Sequence, residues 1–100
     1  MFAKFNELIH SERPVLIDFF ATWCQPCKVM SSVLSSVKKN VGDGARIVKI
    51  DIDQYPEIAS SQGVRSVPTL LIFKNGELLF RHSGLMEVNR LTAELKQYIE

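Results

Sequence analysis

Two residues hold most of the chemical information in this chain. Cys24 and Cys27 are its only cysteines, and they share one four-residue window, Cys24-Gln25-Pro26-Cys27. A bridge between them would close so short a loop that chain entropy assigns it about 1.9 kcal/mol, against about 3 kcal/mol for a fifteen-residue loop. A structural staple would be placed elsewhere, so the pair is better explained by reactivity than by stability. His10 and His82 are far apart in sequence and, even taken with both cysteines, lack the spacing of a zinc site. They read as surface residues, and no metal is expected.

How reactive a thiol is depends on where the backbone holds it. Val15 to Phe20 is a compact apolar run of strand type, interrupted only by Asp18. From Gln25 to about Val41 the apolar positions Val29, Met30, Val33, Leu34, Val37 and Val41 fall three or four apart, one face of a long helix that Gly42 and Gly44 end. Cys24 is therefore expected at the strand-to-helix turn as the helix N-cap, with Gln25, Pro26 and Cys27 as the first three helical positions. Pro26 has no N–H, so the Cys24 sulfur can accept only from Cys27, whose backbone N–H and thiol both lie in the first turn. The helix dipole favours a thiolate by about 0.3–1 kcal/mol, under one pKa unit. Hydrogen bonds from Cys27 must supply the rest. The expected arrangement is an exposed, activated Cys24 with Cys27 one turn inward.

The other elements follow from periodicity and punctuation. Phe2, Phe5, Leu8 and Ile9 predict a short amphipathic helix before a loop from His10 to Pro14. Ile47 to Asp53 alternates, with Val48, Ile50 and Ile52 on one face and Lys49, Asp51 and Asp53 on the other, which predicts a strand with one polar side. Pro56 opens a short helix that Gly63 closes, and Asn75-Gly76 joins Thr69–Lys74 to a partner strand from Glu77 to His82. After Gly84, the positions Val88, Leu91, Leu95, Tyr98 and Ile99 describe a terminal amphipathic helix. A helical crossover makes the first two strands parallel, and the last two form an antiparallel hairpin. The fold class is α/β: a mixed sheet of about four strands flanked by helices on both faces. On the long helix, Lys28, Lys38 and Lys39 are expected as a solvated face and Val29, Met30 and Leu34 as core.

Composition narrows the function. One hundred residues, 46% of them hydrophobic and 23% charged, describe a single domain over 1–100. Twelve Lys and Arg against eleven Asp and Glu leave a net charge of +1, too balanced for a chain that binds by neutralising phosphates, so nucleic acid is not an expected partner. No apolar run approaches the roughly 18 residues of a membrane span, and the opening residues do not form a signal peptide. The expectation is a soluble protein that binds no membrane.

Taken together, Trp23-Cys24-Gln25-Pro26-Cys27-Lys28 after Val15-Leu16-Ile17-Asp18-Phe19-Phe20-Ala21 resembles the thioredoxin family. Val67-Pro68-Thr69 before an apolar strand, then Phe73-Lys74-Asn75-Gly76-Glu77, then Gly84, extend the resemblance over nearly the whole chain. It implies a thioredoxin fold, a redox-active disulfide Cys24–Cys27, and Pro68 as the family's cis-proline facing that disulfide. It also implies an acid at Asp18 behind the inner cysteine, accepting or relaying its proton, with Lys49 nearby. Burial among Ile17, Phe19 and Phe20 would raise the pKa of Asp18 and Lys49 would lower it, the plainer alternative being a solvated aspartate. Trp23, Gln25, Pro26, Val67, Pro68 and Gly84 would form the substrate-contact surface. Three departures stand out: Gln25 where the family usually has Gly, Phe20 where it has a second Trp, and no family N-terminal strand. Without that strand, Ile47 to Asp53 becomes a sheet edge guarded by Lys49, Asp51 and Asp53.

The activity implied is a monomeric, cytoplasmic protein-disulfide reductase with no bound cofactor. Its partners would be an NADPH-linked, flavin-dependent thioredoxin reductase that recycles it and client proteins carrying disulfides. The alternatives are a thiol oxidant or disulfide isomerase in an oxidising compartment, and a non-catalytic binding subunit.

Overall fold

Alternation along the central strand organises the molecule. In the computed structural model, which describes residues 2–99, the apolar run becomes β1 (Val15–Phe20). Its odd residues Val15, Ile17 and Phe19 face one hydrophobic cluster, and Leu16 faces a second on the opposite side. With both faces covered, the strand needs no polar side, which is why its sequence is nearly continuous in apolar residues.

The elements follow in the order α1 (Phe2–Ile9), β1, α2 (Gln25–Val41), a 3₁₀ turn at Gly42–Gly44, β2 (Arg46–Asp51), α3 (Pro56–Ser61), β3 (Thr69–Lys74), β4 (Glu77–Ser83) and α4 (Val88–Lys96). The sheet order is β2-β1-β3-β4, parallel between β1 and β2 and antiparallel elsewhere, so β2 is an edge as expected. α1 and α3 pack Phe5, Ile9, Ile58 and Ala59 on one face. α2 and α4 pack Met30, Leu34, Val37, Leu91 and Leu95 on the other. Asn75 and Gly76 both have positive φ, 54° and 82°, the signature of a type I′ turn whose twist matches the β3–β4 hairpin.

The structure corrects four expectations. β2 starts at Arg46 and ends at Asp51, short of Asp53, because the Asp51 carboxylate accepts from the Asp53 N–H (2.9 Å) and its carbonyl from Tyr55 N–H (2.9 Å), turning the chain. α4 stops at Lys96; Tyr98 and Ile99 follow in turn-type bonds to Leu95 and Lys96, yet still pack on the α2–α4 cluster. Val29 is not core but 53% exposed, since Met30, Leu34 and Val37 define the buried stripe and Val29 sits about 100° away from Met30. Lys38 is more than a solvated charge: its Nζ donates to the carbonyls of Gly42 (2.8 Å) and Ala45 (3.3 Å), closing the end of α2.

Candidate active site

The chain leaves β1 at Phe20 and turns through Ala21, whose carbonyl accepts from Cys24 N–H (3.2 Å). Cys24 then takes an extended conformation (φ −87°, ψ 112°) as the N-cap of α2, and its sulfur accepts from the Cys27 N–H at 3.1 Å. With Pro26 in the first turn, that bond is the one the sequence predicts. The two cysteines form a disulfide with Cα atoms 5.3 Å apart. Gln25 and Pro26 are exposed on the first helical turn.

In one respect the site differs from expectation. Cys24 is not openly exposed: it retains 4% of its surface and Cys27 3%. Ala21 packs against both cysteines, and Phe20, Ile52 and Val67 close over the three. The Cys24 sulfur lies 3.8 Å from the Val67 carbonyl oxygen. What separates the two sulfurs is therefore the helix N-terminus and its N–H rather than solvent exposure.

The Val67–Pro68 peptide bond is cis, and the Val67 carbonyl lies against the disulfide. Gly84, at φ 100°, donates its N–H to the Pro68 carbonyl (2.8 Å), so the end of β4 is tied to the same loop. Val67 is half-buried and Pro68 buried. Trp23 projects outward, 67% exposed, and its Nε1 donates to Asp53 Oδ2 at 2.8 Å. Sequence reasoning assigned Asp53 to the polar face of a strand and missed this anchor. The available signal was the run Asp51-Ile52-Asp53-Gln54 before Pro56, which favours a turn over a continued strand.

Asp18 and Lys49 are direct cross-strand partners on β1 and β2. Side-chain alternation puts Asp18 on the same face as Leu16 and Phe20, the face that α2 covers. Asp18 is fully buried, and neither carboxylate oxygen has a hydrogen-bond partner among the described residues. Burial pushes its pKa up to about 6, with the Lys49 charge pulling the other way. The Lys49 ammonium donates to Ser31 Oγ (2.9 Å) and lies 4.7 Å from the Phe20 ring centre. Phe20, at the position where the resemblance implies a second Trp, thus shelters the cation. Lys49 and Cys27 line the same cleft of about 390 Å³. His10 and His82 bond to backbone carbonyls of Asn6 and Leu85.

Comparison with known proteins agrees with this geometry. The Thioredoxin family profile matches residues 2–97. The chain belongs to the thioredoxin family. It is 41% identical over 100 residues to thioredoxin Y, chloroplastic, of Oryza sativa, covering 99% of this chain and 60% of the rice protein, so it spans less than two thirds of that relative. A thioredoxin-like protein of Synechocystis sp. is 39% identical over 99 residues, covering 98% of this chain and 94% of that one. Among solved structures, a mutant thioredoxin from Halobacterium salinarum superposes with a TM-score of 0.88 at 33% identity, covering 98% of this chain and 85% of that one. A cysteine pair bonded at the N-terminus of α2 in a thioredoxin-family chain is a redox-active disulfide suited to dithiol–disulfide exchange.

Proposed function

We propose that this chain is a protein-disulfide reductase of thioredoxin type. The observation that carries the reading is the Cys24 sulfur at the N-cap of α2, accepting from the Cys27 N–H, because that arrangement stabilises negative charge on Cys24 alone. In the reduced protein, the Cys24 thiolate attacks one sulfur of a client disulfide and expels the other as a thiolate, giving a mixed disulfide. Cys27 loses its proton to Asp18, attacks the Cys24 sulfur, and releases the second client thiolate while the Cys24–Cys27 disulfide re-forms. Two electrons pass from the cysteine pair to the client, and solvent protonates the released thiolates.

A carboxyl group with a pKa of about 6 accepts a proton more readily than an ordinary aspartate, which supports Asp18 as the proton relay and Lys49 as the charge that keeps it ionisable near neutral pH. Trp23, Gln25, Pro26, Val67, Pro68 and Gly84 surround the disulfide as the client-contact surface. A client backbone would lie over them as an extended segment. The resemblance supports a flavin-dependent, NADPH-fed thioredoxin reductase as electron donor, client proteins with disulfides as acceptors, no bound cofactor, and a single-domain monomer in the cytoplasm.

The test is reduction of a generic protein disulfide by the purified chain with thioredoxin reductase and NADPH. Catalytic NADPH consumption that depends on both cysteines is expected. Absence of turnover, with client binding that survives Cys24→Ser and is lost in Trp23→Ala, would replace this reading with a binding subunit.

A further inference from the structure

Among the described residues β2 is an open edge of the sheet, and its Lys49 also lines the cleft that holds Cys27. Arg46 N–H donates to the Pro14 carbonyl (2.9 Å) and Ile52 N–H to the Phe20 carbonyl (2.9 Å), so the even-numbered residues of β2 turn their main-chain groups toward β1. By the alternation of a parallel strand, Ile47, Lys49 and Asp51 direct theirs to the outer edge. The Asp51 carbonyl is taken by Tyr55 N–H, but no strand of the described residues covers the remaining groups.

The two sides of this edge differ sharply. On the α2 side, a cleft of about 700 Å³ is lined by Arg13, Lys38, Lys39, Arg46 and Lys49, with Asp43 as its only acid. Arg13 and Lys38 bond to backbone carbonyls, which leaves their charges unneutralised. On the other side, a groove of about 250 Å³ is formed by Phe5, Leu8, Val48, Ile50, Tyr55 and Ile58, and its charged members, Lys4 and Lys49, are again cations.

We propose that the β2 edge docks an extended protein segment in which acidic and apolar side chains alternate. An added strand continues the pleat, so its successive side chains point to opposite faces of the sheet. Those on the α2 side meet the cation-lined cleft, and those on the α1–α3 side meet the apolar groove. The main-chain groups of Ile47, Lys49 and Asp51 supply the ladder. A second copy of this chain is a poor occupant, because two-fold pairing of the edges would bring its cation-lined cleft beside the equivalent cleft.

The probe is a fluorescein-labelled seven-residue peptide alternating glutamate and valine, compared with the same composition in two blocks and with an alternating lysine–valine peptide. Anisotropy titrations on the full chain should show binding of the alternating acidic peptide that weakens with salt, and block-peptide binding at least about tenfold weaker. Lys39→Glu combined with Arg46→Glu, two exposed side chains, should reverse the preference toward the lysine peptide. On the unaltered chain, bound acidic peptide should slow hydrogen exchange at the amides of Ile47, Lys49 and Asp51 and leave Val48 and Ile50 unchanged. Equal affinity for the block peptide, or unaltered exchange at those three amides, would overturn the proposal. So would protection that grows with protein concentration in the absence of peptide, which would assign the edge to self-association.

Discussion

A carboxyl group that is fully buried without a hydrogen-bond partner opposes folding whenever it must ionise, and Asp18 is in that position. Its pKa is about 6 in the folded chain against an ordinary 3.8, so between these values the folded state holds a proton that the unfolded state has lost. The contribution of Asp18 to stability therefore falls as pH rises from about 4 to 6, by roughly 3 kcal/mol for a shift of about two units, and is constant on either side. Asp18→Asn removes the ionisation. It should raise the urea midpoint at pH 7.5 and leave it nearly unchanged at pH 3.5, while slowing disulfide turnover; equal midpoints at pH 7.5 with equal turnover would show Asp18 to be uninvolved. The cysteines should divide their labour in the same local terms. Cys27→Ser keeps the N-cap sulfur of Cys24 and removes the resolving thiol, so client proteins from an extract should accumulate on Cys24 as mixed disulfides, visible on a non-reducing gel and by mass spectrometry. Cys24→Ser should trap almost none. Because both residues are nearly equally buried, equal trapping would show that the helix N-terminus does not distinguish them.

Elements hold the site through their ends rather than their middles. The Asn75–Gly76 turn joins β3 to β4, and it is also bolted to the region after α1, with Asn75 N–H donating to the Ser11 carbonyl (2.9 Å) and Gly76 N–H to that of Ile9 (2.8 Å). A β-carbon on Gly76 would meet the His10 ring, and φ of 82° disfavours any side chain there. Gly76→Ala should cost about 1–2 kcal/mol in a denaturant titration, from the left-handed backbone and the displaced His10. His10→Ala in the same background should recover only the part due to the ring. At the other end of β3, Val67 meets the disulfide, so the hairpin connects the turn to the active site through one strand. The limits of β2 and α4 show why element ends are hard to read: Asp51, the last paired residue of β2, also accepts the bonds that turn the chain, and Tyr98 stays in the core after the helix has stopped. Hydrophobic period sees burial, which continues past the point where hydrogen bonding changes.

For the molecule as a whole, reduction potential is the property that separates reductase from oxidant. Equilibration against glutathione should place Cys24–Cys27 nearer the thioredoxin range, about −270 mV, than the roughly −120 mV of a strong oxidant. Gln25, exposed beside Cys24 where the family usually has Gly, can shift it, since about 30 mV corresponds to about 1.4 kcal/mol, the scale of one hydrogen bond. A value above about −180 mV would remove the reductase reading. A net charge of +1 hides an uneven distribution, with five cations gathered in one cleft beside β2. Composition averages over the surface, and only the fold brings Arg13 and Arg46 to the same cleft as Lys38 and Lys39.

Local chemistry is what the sequence determined by itself. Pro26 in the first turn left Cys27 as the donor to Cys24, Asn75-Gly76 marked the β3–β4 hairpin, and the apolar run interrupted only by Asp18 marked β1 as a strand; each depends on neighbours a few residues apart. Tertiary structure decided what depends on distant partners. Cys24 is buried because Val67, forty-three residues away, closes over it. Asp53 holds Trp23 because the chain turns after Asp51, and Val29 is exposed because α4 packs against the neighbouring stripe of α2. A residue's type and spacing constrain its backbone, but its solvent exposure and its partners are set by which surfaces meet, and that is a property of the whole packed chain.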